Sequence, residues 1–163
     1  GNDLSKIGNE LSKLVLNLKE EEEITPEIIE EYIGISKDFN VFELQNAIGV
    51  KDVLKSNKII KHFSENPKKH PFALTLSSLF SYFQKVMIYH SLKDKSNNNA
   101  ASALGVNPYF VSQYQIASRN YSMGKLFNIF TYIKEYDLKN KGIDNPSISD
   151  SDLLRELTFK ILH

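Results

Sequence analysis

The sequence predicts an all-α fold, and three observations lead there. Apolar residues recur at i, i+3, i+4 and i+7 through most of the chain. Helix punctuation stands where it should, with Asp, Asn, Ser or Thr before the periodic runs and Gly after several of them. No stretch alternates as a strand does, and the single candidate is the short piece from Glu22 to Ile24. The expected organisation is a small three-helix unit over residues 1–50, then a bundle of about five or six helices over 51–163.

Leu4, Ile7, Leu11, Leu14, Val15 and Leu18 define an amphipathic helix capped by Asp3. Lys19 to Glu23 is a charged connector; its consecutive glutamates lack the Gly and backbone ligands of a calcium loop, so it is read as solvated. Thr25 caps the next helix, with Pro26 at its first position and Gly34 closing it. Asn40 caps a third, with Glu43 completing a capping box and Leu44, Ala47 and Ile48 facing inward. Gly49 marks a break, and a helix from about Asp52 carries Val53, Leu54, Ile59, Ile60 and Phe63. Asn66 to Pro71, with two prolines and no apolar residue, is a loop.

The helix from Phe72 to about Lys93 is the hydrophobic centre of the bundle. Its expected stripe is Leu76, Leu79, Phe80, Phe83, Met87 and His90, widened by Tyr82, Val86, Ile88 and Tyr89. His90 on that stripe is read as a hydrogen-bonded core histidine. After a polar connector, Asn98 to Tyr121 has a helix–turn–helix outline. Ala100, Ala101, Ala103 and Leu104 make a short helix ending at Gly105; Asn107 caps the second helix, and Pro108 opens it. Phe110, Tyr114, Ala117 and Tyr121 mark the buried stripe of that second helix. Ser122 caps a long helix with Leu126, Ile129, Phe130 and Ile133 inside and Phe127 and Tyr132 as extra apolar residues. After a turn at Asp144 to Ser147, Ser149 and Asp152 form a capping pair for a last helix carrying Leu153, Leu154, Leu157 and Ile161.

Acidic and basic residues balance at 20 each among 163, so no global field draws the chain to nucleic acid or a membrane. The apolar runs are far shorter than the roughly 20 residues a membrane span requires. The chain has no cysteine, which excludes disulfides and thiol chemistry and fits a reducing compartment. Its N-terminus lacks the pattern of a signal peptide, and the missing initiator Met favours an excised piece of a longer chain. No phosphate-binding glycine loop is present, the histidines His62, His70, His90 and His163 have no metal-ligand spacing, and no serine has a matched base. No catalytic, cofactor-binding or metal residue is therefore assigned. A DNA-reading helix would need cations or amides at its start; here it opens Pro108-Tyr109-Phe110-Val111, with Gln113, Gln115 and Arg119 as its only readers.

Several segments together resemble the delta subunit of bacterial DNA polymerase III, in a form similar to that of the Bacteroidetes group. They are Ser36 to Leu44, Ala103 to Phe110, Arg119-Asn120-Tyr121, Tyr136 to Lys139 and Lys141-Gly142. The order and spacing of these segments carry the resemblance, which spans the chain but only the C-terminal half of the family's protein. It implies an AAA+ lid-type domain over residues 1–50 and a clamp-loader collar over 51–163. It also implies a non-enzymatic scaffold in DNA replication, within the cytoplasm, belonging to a holoenzyme that is a DNA-directed DNA polymerase. Implied partners are gamma/tau and delta-prime type subunits through the collar, the sliding clamp through an N-terminal domain outside this sequence, and primer–template DNA indirectly. The alternative is a helix–turn–helix DNA-binding protein. Candidate partner contacts are Tyr109, Gln113, Arg119 and Lys125, with Arg119, an arginine among tyrosines, expected as the anchor of that group.

Overall fold

The computed structural model describes residues 39–143 and 148–163. The chain divides between Asp38 and Phe39, and the described residues belong to the second unit. They form seven α-helices: α1 (Val41–Gly49), α2 (Val53–Glu65), α3 (Phe72–Ser91), α4 (Asn97–Leu104), α5 (Val111–Asn120), α6 (Met123–Asn140) and α7 (Asp150–Leu162). A 3-10 turn at Pro108–Phe110 precedes α5, and no strand occurs among the described residues. The expected helix from Leu4 to Leu18, the helix after Thr25, the strand candidate at Glu22 to Ile24 and the turn at Asp144 to Ser147 lie outside the described residues.

The all-α expectation holds, and most boundaries fall where the capping residues put them. The Asn40 side chain accepts from the Phe42 and Glu43 amides at 2.9 and 3.0 Å, and Glu43 Oε2 accepts from the Asn40 amide at 3.2 Å. That capping box satisfies amides that the first turn of α1 would otherwise leave open. Asn40→Ala is expected to cost about 1 kcal/mol of stability, measured by urea unfolding. Asp52 caps α2 through the Lys55 amide, Ser122 caps α6 through the Lys125 amide, and Ser149 caps α7 through the Asp152 amide. α4 ends at Gly105, whose φ of 61° and ψ of 44° put it in the left-handed region that a residue without Cβ enters freely.

α3 is the central element, packing against α1, α4, α5, α6 and α7. Its buried line is Phe72, Leu76, Leu79, Tyr82, Phe83, Val86 and Tyr89. The line expected from the sequence is rotated relative to this one: Phe80 and Ile88 are exposed, and Met87 and His90 are half-buried. His90 does have the expected hydrogen bond, donating from Nε2 to the Tyr121 carbonyl at 2.8 Å.

α1 sits on the bundle's side of the division. Leu44, Ala47 and Ile48 are buried in the shared core, and α1 packs against α2, α3, α5 and α7. Three long-range bonds fasten it: Tyr121 Oη donates to the Ile48 carbonyl, Asn120 Nδ2 to the Gly49 carbonyl and Gln45 Nε2 to the Ser78 carbonyl, all at 2.8 to 2.9 Å. The Gly49 break, expected to lie near a domain border at residue 50, is thus a turn inside one packed unit. The Lys51 and Asp52 amides close it on the Ile48 and Ala47 carbonyls.

The start of α5 also departs from expectation. Asn107 caps the 3-10 turn through the Tyr109 amide rather than capping the α-helix itself. A 3-10 turn holds about three residues per turn, so helical phase starts later, at Val111. The buried stripe is consequently Val111, Tyr114 and Ala117, followed by Tyr121, and Phe110 is left exposed. On α6, Leu126, Ile129 and Ile133 are buried as expected and Tyr136 joins them, while Phe130 is only half-buried.

Candidate protein-interaction surface

Helix α3 has more apolar surface than its neighbours cover, and the excess opens beside α6. Phe80 and Phe130 meet edge to face there, with ring centroids 5.5 Å apart and planes at 73°. On one side of that pair lies an open cleft of about 580 Å³, lined by Gln84, Lys85, Met87, Ile88 and Leu104 together with the two rings. On the other side is a second cleft of about 330 Å³, reaching Leu76, Ile133, Lys134 and Asp137. Phe80 is 39% exposed, Ile88 42%, and Phe127, one turn before Phe130, 60%. Aromatic and aliphatic side chains framing a groove with a polar rim are the usual composition of a protein contact.

A second apolar feature stands on the turn before α5. Tyr109 is 80% exposed and meets Phe110 edge to face at 5.3 Å. The turn holds the two rings outward because α5 begins its buried stripe one residue later. Of the other candidate contacts, Gln113 is half-buried in the first turn of α5, Arg119 is exposed near that helix's C-terminal end, and Lys125 is exposed in the first turn of α6. They therefore spread over two helices and a turn. The α3–α6 groove was not among the candidates. Its only sequence signal was surplus, since Ile88 exceeded what one stripe on α3 requires.

The chemistry of these surfaces is apolar and aromatic. Among the described residues, no three His, Asp or Glu side chains converge in a way that could hold a metal ion. No described helix is long and apolar enough to cross a membrane. Burial raises the pKa of the Tyr82, Tyr114 and Tyr121 hydroxyls, with Tyr114 and Tyr121 adding to the effect on Tyr82. These three tyrosines therefore stay neutral packing groups. The exposed face of α5 presents Ser112, Gln115, Ile116 and Arg119, with a single cation among them.

A family model described as DNA polymerase III delta subunit, C-terminal domain, matches residues 38–153. The chain belongs to this family. The match begins at Asp38, where the chain divides, and runs from there into α7, so α1 lies within the delta C-terminal domain. No curated protein matches the chain, and no solved structure matches it. Family membership gives the apolar groove a context, because a delta subunit works as one component of an assembly.

Proposed function

We propose that this delta C-terminal domain is a protein–protein scaffold of the clamp loader, joining gamma/tau and delta-prime type subunits through its helical bundle. In this reading the bundle is the collar and the residues before it are the lid. The observation that carries the proposal is family membership over residues 38–153, and the exposed α3–α6 groove supports it as an uncovered contact surface. Centrally placed aromatic and aliphatic anchors commonly dominate such contacts. The Tyr109–Phe110 pair, together with Gln113, Arg119 and Lys125, is a second candidate contact.

The test is size-exclusion chromatography of the chain mixed with its partner subunits. The unmodified chain is expected to co-migrate with them, and absence of co-migration would overturn the scaffold reading. Ile88→Asp places charge on the groove at an exposed position, without touching the core, and is expected to weaken binding about tenfold or more. Phe159→Asp, at an exposed position on α7, serves as the control and is expected to bind like the unmodified chain.

A further inference from the structure

The groove between α3 and α6 has a definite length and relief. From Ala73 to Ile88, the α3 residues at its two ends, the helix axis runs about 22 Å at about 1.5 Å per residue, or about four turns. Ala73, Ser77 and Ser81 are exposed, short, and spaced four apart, so they form one row along that face. They keep the floor low, while the Phe80–Phe130 pair stands between the two clefts as a ridge. Leu76 lines one cleft and Met87 the other, about 16 Å apart along the axis. Side chains entering both clefts from one partner helix would therefore stand at about i and i+11, a spacing that keeps them on one face.

The rim is cationic. Lys85 borders the first cleft and Lys134 the second. Among the described residues neither is paired with a carboxylate. Asp137 is the one carboxylate among the described residues that lines either cleft, and Lys141 holds it at 2.6 Å. Glu135, beside Lys134 in the chain, is taken by Lys139 at 2.7 Å and Lys160 at 3.4 Å. Both rim lysines are thus left uncompensated in a chain whose formal charge is otherwise balanced. A basic partner surface would be repelled at both clefts, and an acidic one attracted.

We propose that the α3–α6 groove receives an amphipathic helix of a partner subunit, with one large apolar side chain in each cleft and carboxylates flanking its apolar stripe. The proposal rests on the scaffold reading and adds the chemistry of the partner's contact. Lys85 and Lys134 select the partner by charge, and the clefts supply the apolar burial that holds it.

Two labelled peptides of about 18 residues test the occupant by fluorescence anisotropy. Both have leucines at i, i+4, i+7 and i+11; glutamates flank the stripe in one and lysines in the other. The unmodified chain is expected to bind the glutamate peptide about tenfold more tightly, and Lys85→Glu combined with Lys134→Glu to reverse that order. Lys58→Glu with Lys61→Glu is the control and keeps the original order, since α2 packs against α1 and α7 and not against α3 or α6. The proposal is overturned if the unmodified chain binds neither peptide or both equally, or if the Lys85–Lys134 variant, with an unchanged thermal melt, keeps the original order. It is also overturned if sedimentation velocity shows a dimer that Ile88→Asp abolishes, because the occupant is then a second copy. Mixing the charge-reversed variant with the partner subunits separates the two readings. Co-migration undiminished by the reversal overturns this proposal and leaves the scaffold standing. An unmodified chain that prefers the glutamate peptide but does not co-migrate overturns the scaffold reading while the preference of the groove stands.

Discussion

Phe83→Ala is expected to lower the unfolding free energy by about 3–5 kcal/mol, whereas Phe80→Ala, one turn away on the same helix, costs less than about 1.5 kcal/mol. Phe83 is 0% exposed, and its ring lies 5.3 Å from those of both Tyr82 and Tyr121. Removing it leaves a cavity where α1, α3 and α5 meet, and rigid neighbours cannot close such a gap. Phe80 borders the open groove, so water fills most of the space its ring leaves. Against a total stability of about 5–15 kcal/mol for a domain, the first loss is a large fraction and the second is not. Urea unfolding of the two variants measures both. Equal losses would contradict the rotation of α3 that places one ring inside and the other at the rim.

Gly49→Ala is expected to destabilise the domain by up to about 2 kcal/mol, the reverse of its usual effect within a helix. Alanine normally gains about 1 kcal/mol over glycine there. At this position a Cβ would overlap the Tyr82 hydroxyl. The Tyr82 ring cannot swing away, because it is buried with Tyr114 at 5.4 Å and Phe83 at 5.3 Å. Overpacking of this kind costs about 1–3 kcal/mol, which outweighs the gain in propensity. Adding Tyr82→Phe to Gly49→Ala should restore most of the loss. Tyr82→Phe alone should be neutral or slightly stabilising, since that hydroxyl is buried without a hydrogen-bond partner among the described residues. Thermal melts of the single and double variants decide it, and a raised melting temperature for Gly49→Ala would refute the close approach.

Local chemistry was the legible part of the fold. The capping groups Asn40, Asp52, Ser122 and Ser149 and the left-handed Gly105 act through atoms within a few residues, so their positions can be read directly along the chain. α7 was read correctly for the same reason: Leu153, Leu154, Leu157 and Ile161 form a single narrow stripe with one way to face the core. α3 offered several, because a helix apolar over more than half its surface has no unique inner face. Phe110 was misjudged because residues 108–110 form a 3-10 turn, invisible to a 3.6-residue count, so the stripe opens at Val111 and then runs through Tyr114, Ala117 and Tyr121 as expected.

The surfaces follow the same division. Tyr109 was named as a contact at the start of the second helix of the helix–turn–helix outline, and it stands exposed on the 3-10 turn before α5. The α3–α6 groove was missed because it exists only where two helices fail to cover each other's apolar edges.

The sequence by itself determined the all-helical class, the start of each described helix to within a few residues and, through the order of its motifs, the delta-subunit family. The tertiary structure decided that α1 belongs to the bundle, that Phe83 and not Phe80 is core, and where apolar surface is left uncovered. The reason is physical. Caps and periodicity depend on near neighbours, whereas burial and charge compensation depend on which distant helix arrives opposite.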